Sequence, residues 1–429
     1  MRLLFVLPQI PWPPESGGRI VTSNTIRRFA RSHDVYVVCL YHHRDELRHI
    51  ETVKTWCREV AAFPAHAKWD VPVLLRSCVS RRPYKALRFL NSDMQGYVSR
   101  LVRRERIEVI HAQNFYTTAY VRGDEPCLRI HYKENIEGLL LRRYAETSGN
   151  PPVARLARFE SERTLKYERS EAGKLHRLLS ISPVDTALLK EMEPDLPIGY
   201  QRAGVDLEKY LFQPESSGPP TVLFTGTMSY HPNYNGILKF LDEGWSIVRS
   251  KIPDATLLIV GHSPPRRLRV WDGRDGVSVT GSVPDIGKFF SRAHVYLVPL
   301  WVGGGIRLKI LEAMASGRAV ASTPIGCEGL EAENNIHLLT AQEPADLAEC
   351  VLKLLEDKEL REKLAIQARN LMEKKYDWDK VIAEQEQNYQ QWQQQMRIAD
   401  CGIKSNSPKP QASSPKPKTS AYCRPPTAY

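Results

Sequence analysis

Short apolar runs alternate with amphipathic helical stretches along most of this chain, and the alternation happens twice. RLLFVLP, DVYVVCLY, EVAAF, IEVIHA, LRIHY and RLLSIS fall in the first half, with helical patterns such as GGRIVTSNTIRRFARS and PYKALRFLNSDMQGYVSRLVRRE between them. Runs of this length separated by helices point to parallel strands covered on both faces. The segment from Ile136 to Gly173 is charged, with apolar residues at helical spacing. A Pro-, Gly- and Ser-rich break follows over residues 200–218, as expected of a linker. The pattern then restarts with TVLFTG, ATLLIVG, VSVTG, HVYLVPL and RAVAST, with helical stretches NYNGILKFLDEGWSIVRSK and IRLKILEAMASG between them.

This organisation predicts an N-terminal α/β domain over 1–200 and a second over 201–375. A helix follows over 376–398 and is expected to pack back on the first domain. A basic Pro/Ser-rich tail over 399–429 is expected to be disordered. At 429 residues with 42% hydrophobic and 25% charged content, the chain has enough apolar material for two cores. Ligands of open parallel sheets bind beyond the carboxyl ends of the strands, so two such domains place a site in the cleft between them.

Composition excludes several classes. No run approaches the ~20 apolar residues that a membrane span needs. The N-terminal run is short, is interrupted by Pro8 and lacks a small-residue cleavage site, so it is read as a buried strand and the chain as cytoplasmic. The eight cysteines are scattered, which fits reduced thiols. No metal-ligand spacing is seen, and no metal or other cofactor is expected. The formal net charge of +11 sits largely in the first 180 residues, in RRFARSHD, LVRRERIE and LRRYAE. Such charge serves as a solvated helix face or attracts an anionic membrane surface or phosphorylated acceptor. No nucleic-acid module accompanies it, and nucleic acid is not an expected partner.

The densest chemical signal is HVYLVPLWVGGGIRLKILEAMASGRAVAST. A strand ends near Pro299, Gly303, Gly304 and Gly305 form a turn, and a helix is expected from Ile306 to Gly317. A glycine turn opening a helix exposes backbone N–H groups at the positive end of the dipole, a geometry suited to phosphate. Arg307 and Lys309 place cations where the dipole disfavours them, which suggests a compensating anion. Glu312, a turn later, is placed either to accept bonds from ribose hydroxyls or to pair with Lys309 or Arg307. In the first half, Gly17 and Gly18 precede Arg19 and either let a ligand approach the backbone or simply turn the chain. His111 and His131 lie toward strand ends, where sites form but where histidines are also structural.

GGGIRLKILEAMASGRAVAST followed by GCEGL resembles the donor-binding segment of the family 4 glycosyltransferases, retaining enzymes of GT-B fold. LPQIPWPPESGGRIVTSNTIRRFA, KENIEGLLLRRYAE, RLLSISPVD, AGVDLEKY, FTGTMSYHPNYNG and GSVPDIGKFFSRAHVYLVPL are similar to other family segments, and together they cover residues 1–385. The resemblance implies two Rossmann-like doubly wound domains facing a central cleft. The first would bind a glycan or lipid-linked acceptor and the second a nucleotide-sugar donor, with work on the inner face of a membrane. It assigns Glu312 to the ribose and brings Gly226 and Thr227 to the donor side. Glu134 and Asn135, with Glu137 in a stretch similar to a motif written H-N-V-E, become catalytic candidates, and His111 joins them from its place at a strand end. The chain departs from the family where Gly304 replaces the first of two glutamates, where Thr227 and Asn235 replace an Arg and a Lys, and where Glu134 replaces His. Arg307 and Lys309 are then expected to supply the missing cations. A sugar-nucleotide epimerase of the same fold and a non-catalytic two-lobed binding protein are the alternatives. A nicotinamide oxidoreductase would need G-x-G-x-x-G after the first strand, which PESGGRIVTS does not supply.

Overall fold

The computed structural model describes residues 1–400 apart from Trp69, residues 215–217, Pro284 and Gly304. Cys401, Cys423 and the remainder of the tail expected to be disordered lie outside the described residues.

Two parallel sheets organise the chain. The first is built from β1 (Arg2–Leu7), β2 (Asp34–Tyr41), β3 (Glu59–Pro64), β4 (Val109–Gln113), β5 (Leu128–Lys133), β6 (Arg177–Ser180) and β7 (Ile198–Tyr200), in the order β3-β2-β1-β4-β5-β6-β7. The second holds β8 (Thr221–Thr225), β9 (Thr256–Val260), β10 (Val277–Gly281), β11 (Val295–Val298), β12 (Ala319–Ser322) and β13 (Leu339–Thr340), in the order β10-β9-β8-β11-β12-β13. Each order reverses direction once, between β1 and β4 and between β8 and β11. That reversal point is where a doubly wound sheet opens a crevice.

The apolar runs fold as strands because helices cover both faces. Leu3 to Leu7 are all buried, and Leu4 and Val6 join a different apolar cluster from Leu3, Phe5 and Leu7. Alternate side chains of one strand thus feed two cores, and an unbroken apolar run satisfies both. The helix Gly17–Phe29 buries Val21, Thr22, Thr25, Ile26 and Phe29 on one side and ends on Arg27 and Arg28, which suit the negative end of its dipole.

Several elements differ from the sequence expectations. The helical pattern after Pro83 divides into Tyr84–Arg88 and Ser92–Arg104, the second capped by the Asn91 side chain. The Ile136–Gly173 stretch is two mutually packed helices, Glu137–Thr147 and Pro151–Ala172, separated by a turn before the Pro151–Pro152 pair. Residues 231–251 divide at Gly244. The helix after the glycine turn runs Leu308–Ala315, with Arg307 at its N-cap in non-helical geometry. Arg307 therefore precedes the first turn instead of lying within it.

The last helix, Trp378–Asp400, returns to the first domain, where Trp378, Val381, Ile382 and Tyr389 join the core containing Phe5, Phe29 and Tyr132. The chain crosses between the sheets twice, and the two crossings touch. Val205 N donates to Tyr376 O at 2.7 Å, and Trp378 N donates to Val205 O at 3.4 Å.

Candidate active site

One cleft of roughly 1080 Å³ lies between the sheets and is lined from both. Gln9, Gly17, Gly18, Arg19, Glu134 and Asn135 come from the ends of β1 and β5 and the loops beyond them. The facing wall carries Gly226, Thr227, Gly305, Arg307, Lys309 and Glu312. Both walls are the carboxyl edges of their sheets, as the topology dictates.

The second-domain wall is built around Lys309. Lying in the first turn of helix Leu308–Ala315, it sends its ammonium across to the end of β8. There it donates to Thr225 O at 3.1 Å and to Asn233 Oδ1 at 2.9 Å, and it sits 4.4 Å over the Phe224 ring. Asn233 is held for this by its own donation to Thr227 O at 3.0 Å. Withdrawal from solvent, and then the neighbouring Arg307 charge, lowers the Lys309 ammonium to about 7. Arg307 donates to Gly305 O at 2.5 Å, which folds the turn back over its own side chain. Burial also pushes the Arg307 guanidinium below its ordinary value. Gly305 has φ of +71°, and a Cβ there would lie 3.1 Å from Asn135 Oδ1 across the cleft, so the position demands glycine twice over. Glu312 is raised by burial, against the opposing pull of the Tyr210 hydroxyl and the charges of Lys209 and Lys309.

The first-domain wall centres on Glu134, one residue past β5. Its carboxyl accepts from Gln113 Nε2, and from Asn114 Nδ2 at 3.4 Å. Gln113 is itself oriented by the Thr22 hydroxyl, 2.7 Å from its Oε1. Burial raises Glu134 above the ordinary carboxyl value, while the two amides pull it down. Gly18 faces this carboxyl so closely that a Cβ would lie 2.8 Å from Oε2. Arg19 lines the same wall and is paired with Glu46 at 2.9 Å.

Not every residue singled out from sequence arrives here. His111 is a correction: it is 4% exposed, inside β4, with Nδ1 2.7 Å from the Tyr389 hydroxyl and its ring against Phe5. The returning C-terminal helix covers that sheet face, and burial holds the imidazole down at about 3. A neutral histidine enclosed in this way reaches no reacting atom in the cleft. Gly303 turns its carbonyl toward Arg143, which donates to it at 3.2 Å, and it is not among the cleft-lining residues. Gly304 lies outside the described residues. Asn235 is turned to His231 at 2.8 Å on an exposed surface, and Asn233, two residues earlier, is the one that enters the cleft. Sequence reading also passed over Tyr230, His262 and Ser282. They sit on loops without periodicity, and only the shared position after β8, β9 and β10 connects them.

The comparisons with known proteins bear on the second wall first. Residues 219–357 match the family model described as glycosyl transferases group 1. The matched segment spans β8 to β13 and includes Gly305, Lys309 and Glu312. The phosphatidyl-myo-inositol mannosyltransferase of Mycobacterium tuberculosis is 32% identical over 196 residues, covering 42% of this chain and 50% of the relative. An uncharacterized glycosyltransferase of Methanocaldococcus jannaschii is 26% identical over 215 residues, 45% of this chain and 52% of the relative. The chain thus spans about half the length of the curated relatives it matches.

Solved structures extend the likeness in fold beyond this matched segment to nearly the whole chain. Sucrose-phosphate synthase from Thermosynechococcus elongatus superposes with a TM-score of 0.67 at 16% identity, covering 93% of this chain and 100% of that one. Anabaena HepE in complex with UDP gives 0.65 at 13% identity, over 94% and 100%. WaaG, a glycosyltransferase involved in lipopolysaccharide biosynthesis, gives 0.60 at 16% identity, over 89% and 98%. The fold is GT-B.

Proposed function

We propose that this chain is a glycosyltransferase that moves a sugar from a nucleotide-sugar donor to a glycan or lipid-linked acceptor, with retention of configuration. The carrying observation is the pairing of two half-buried basic side chains, Arg307 and Lys309, at a helix N-terminus that faces a half-buried carboxyl, Glu134, across one interdomain cleft. On this reading Lys309, Arg307 and the backbone at Gly305 receive the donor diphosphate. The departing nucleoside diphosphate gains negative charge as its bond to the sugar breaks, and fixed cations in a dry site stabilise that charge more strongly than water does. Glu312 receives the ribose hydroxyls, and Glu134 with Asn135 contacts the sugar as the acceptor hydroxyl enters on the face the phosphate leaves. Protein groups carry the charge without a metal ion. The group 1 match and the mannosyltransferase and UDP-bound relatives support the donor class. On this reading the chain works on the cytoplasmic side, at the inner face of a membrane.

A thermal-shift screen of UDP-, GDP-, ADP- and dTDP-sugars tests the donor reading. A donor present at about 100 times its Kd stabilises the folded chain by roughly 2.7 kcal/mol. Flat melting curves with all four would overturn it. Replacing Arg307 and Lys309 together with Ala is expected to raise the donor KM strongly, and an unchanged KM dismisses their role. Incubating the stabilising donor with no acceptor distinguishes the epimerase, which isomerises it, from the transferase, which leaves the sugar unaltered.

A further inference from the structure

The helix Val71–Val79 is amphipathic the wrong way round. Its N-terminus is capped by Asp70, which accepts from Val73 N at 3.1 Å, and Pro72 sits in the first turn. Val73 and Ser77 face inward. Val71, Leu74, Leu75 and Val79 face outward, with Leu75 65% and Val79 88% exposed. Residues 71, 75 and 79 are one helical stripe, so a continuous apolar ridge is presented to solvent where a helix of a globular protein turns polar residues. The ridge continues onto a second element. Arg163 donates to Ser77 O at 2.6 Å, to Ser80 O at 2.9 Å and to Arg82 O at 2.7 Å, and stacks 5.3 Å over Phe159. This ties the end of the ridge to the helix Pro151–Ala172, where Leu156 and Phe159 are also exposed.

The charges bordering this patch are mostly positive. Arg76, Arg81, Arg155 and Arg158 are exposed, against one exposed acid, Glu162, a turn beyond Phe159. Two further acids are engaged: Asp70 caps its helix, and Glu160 pairs with Arg163. Apolar side chains ringed by arginines match the interface of an anionic bilayer, where the ridge enters the acyl boundary and the guanidinium groups meet phosphates. A chain of polar contacts leads from the ridge toward the cleft wall. Lys85, beyond the ridge, donates to Glu137 at 2.7 Å, and on the helix that Glu137 opens, Arg143 reaches Gly303 O at 3.2 Å, two residues before the cleft-lining Gly305.

We propose that the face formed by helix Val71–Val79 with Leu156 and Phe159 inserts into the surface of an anionic phospholipid bilayer and holds the cleft mouth there, so that the acceptor is lipid-linked. The membrane face stands on its own observations, while the acceptor class rests on the transferase reading.

The test uses the full chain with vesicles of phosphatidylcholine alone or mixed with phosphatidylglycerol, measured by co-sedimentation. The wild-type chain is expected to sediment with the mixed vesicles and weakly with the neutral ones. The variant Leu75→Glu/Val79→Glu, changed only at exposed positions, is expected to lose binding about tenfold or more. Arg76→Gln/Arg81→Gln is expected to lose about fivefold per charge removed and to flatten the salt dependence. Both variants should keep the wild-type melting temperature and its donor-induced shift. The proposal is overturned if the wild-type chain sediments with neither vesicle or equally with both. It is also overturned if the glutamate variant binds undiminished, or if a wild-type dimer is split by that variant, which would make a second copy the occupant. Vesicle binding without any donor-induced shift would uphold the membrane face and refute the transferase reading.

Discussion

At the scale of single residues, Lys309 carries the sharpest pH consequence. Its ammonium is lowered from an ordinary 10.5 to about 7, so between those values the unfolded chain binds a proton that the folded chain has released. Stability therefore rises as pH climbs through that window and levels off below it. A diphosphate beside the amine reverses the shift. Donor binding near pH 8 is thus expected to take up a proton, read by calorimetry in buffers of different ionisation enthalpy, and Lys309→Met should abolish the uptake. Gly18→Ala acts on the opposite wall. The added methyl meets the Glu134 carboxyl at 2.8 Å, while the residue stays in helical geometry where alanine is favoured. The variant should melt within a few degrees of wild type yet lose most of its turnover, and full activity would separate Glu134 from the chemistry. The sequence located the glycine turn, Lys309 and Glu312 because they fall at fixed offsets around one strand-to-helix junction. Asn233 was invisible to that logic, since its place beside Lys309 depends on how two loops from different crossovers meet. His111 was misplaced because what covers its sheet face arrives from a helix 278 residues later, through Tyr389.

At the scale of elements, central strands such as β1, β2, β8 and β11 were readable because each is apolar on both faces. β7 and β13 escaped because three and two residues are too few to show a period. Helix breaks at Asn91 and Gly244 were hidden inside continuous apolar spacing, although Asn91 caps the following helix locally, accepting from Met94 N. The returning helix Trp378–Asp400 is the element on which most depends. Trp378 is 1% exposed and packs against Gly204 so tightly that a Cβ there would lie 2.5 Å from its ring. Tyr389 stacks on Phe29 at 5.7 Å between centroids. Trp378→Ala should cost about 3–5 kcal/mol of stability, measured by denaturant unfolding, because it opens a cavity where the crossings meet the first core. A loss under ~1 kcal/mol would show that the helix is only loosely applied.

At the scale of the whole molecule, the two chain crossings at Val205 and Tyr376–Trp378 are hydrogen-bonded side by side. Arg202 braces the same place, reaching Glu331 at 2.8 Å and Glu384 at 3.1 Å, while Lys375 also pairs with Glu331. Paired in this way, the crossings form one connection between the sheets. They also mean that the border between the two lobes is not a point on the chain. A gene fragment ending at residue 200 encodes every strand of the first sheet but omits the aromatic lid supplied by Trp378 and Tyr389. Expressed alone it should aggregate, and grafting residues 378–400 onto its end should restore a soluble, cooperatively melting product. Anyone dividing this protein for separate study, or recombining its lobes with those of a relative, must therefore splice at two places at once.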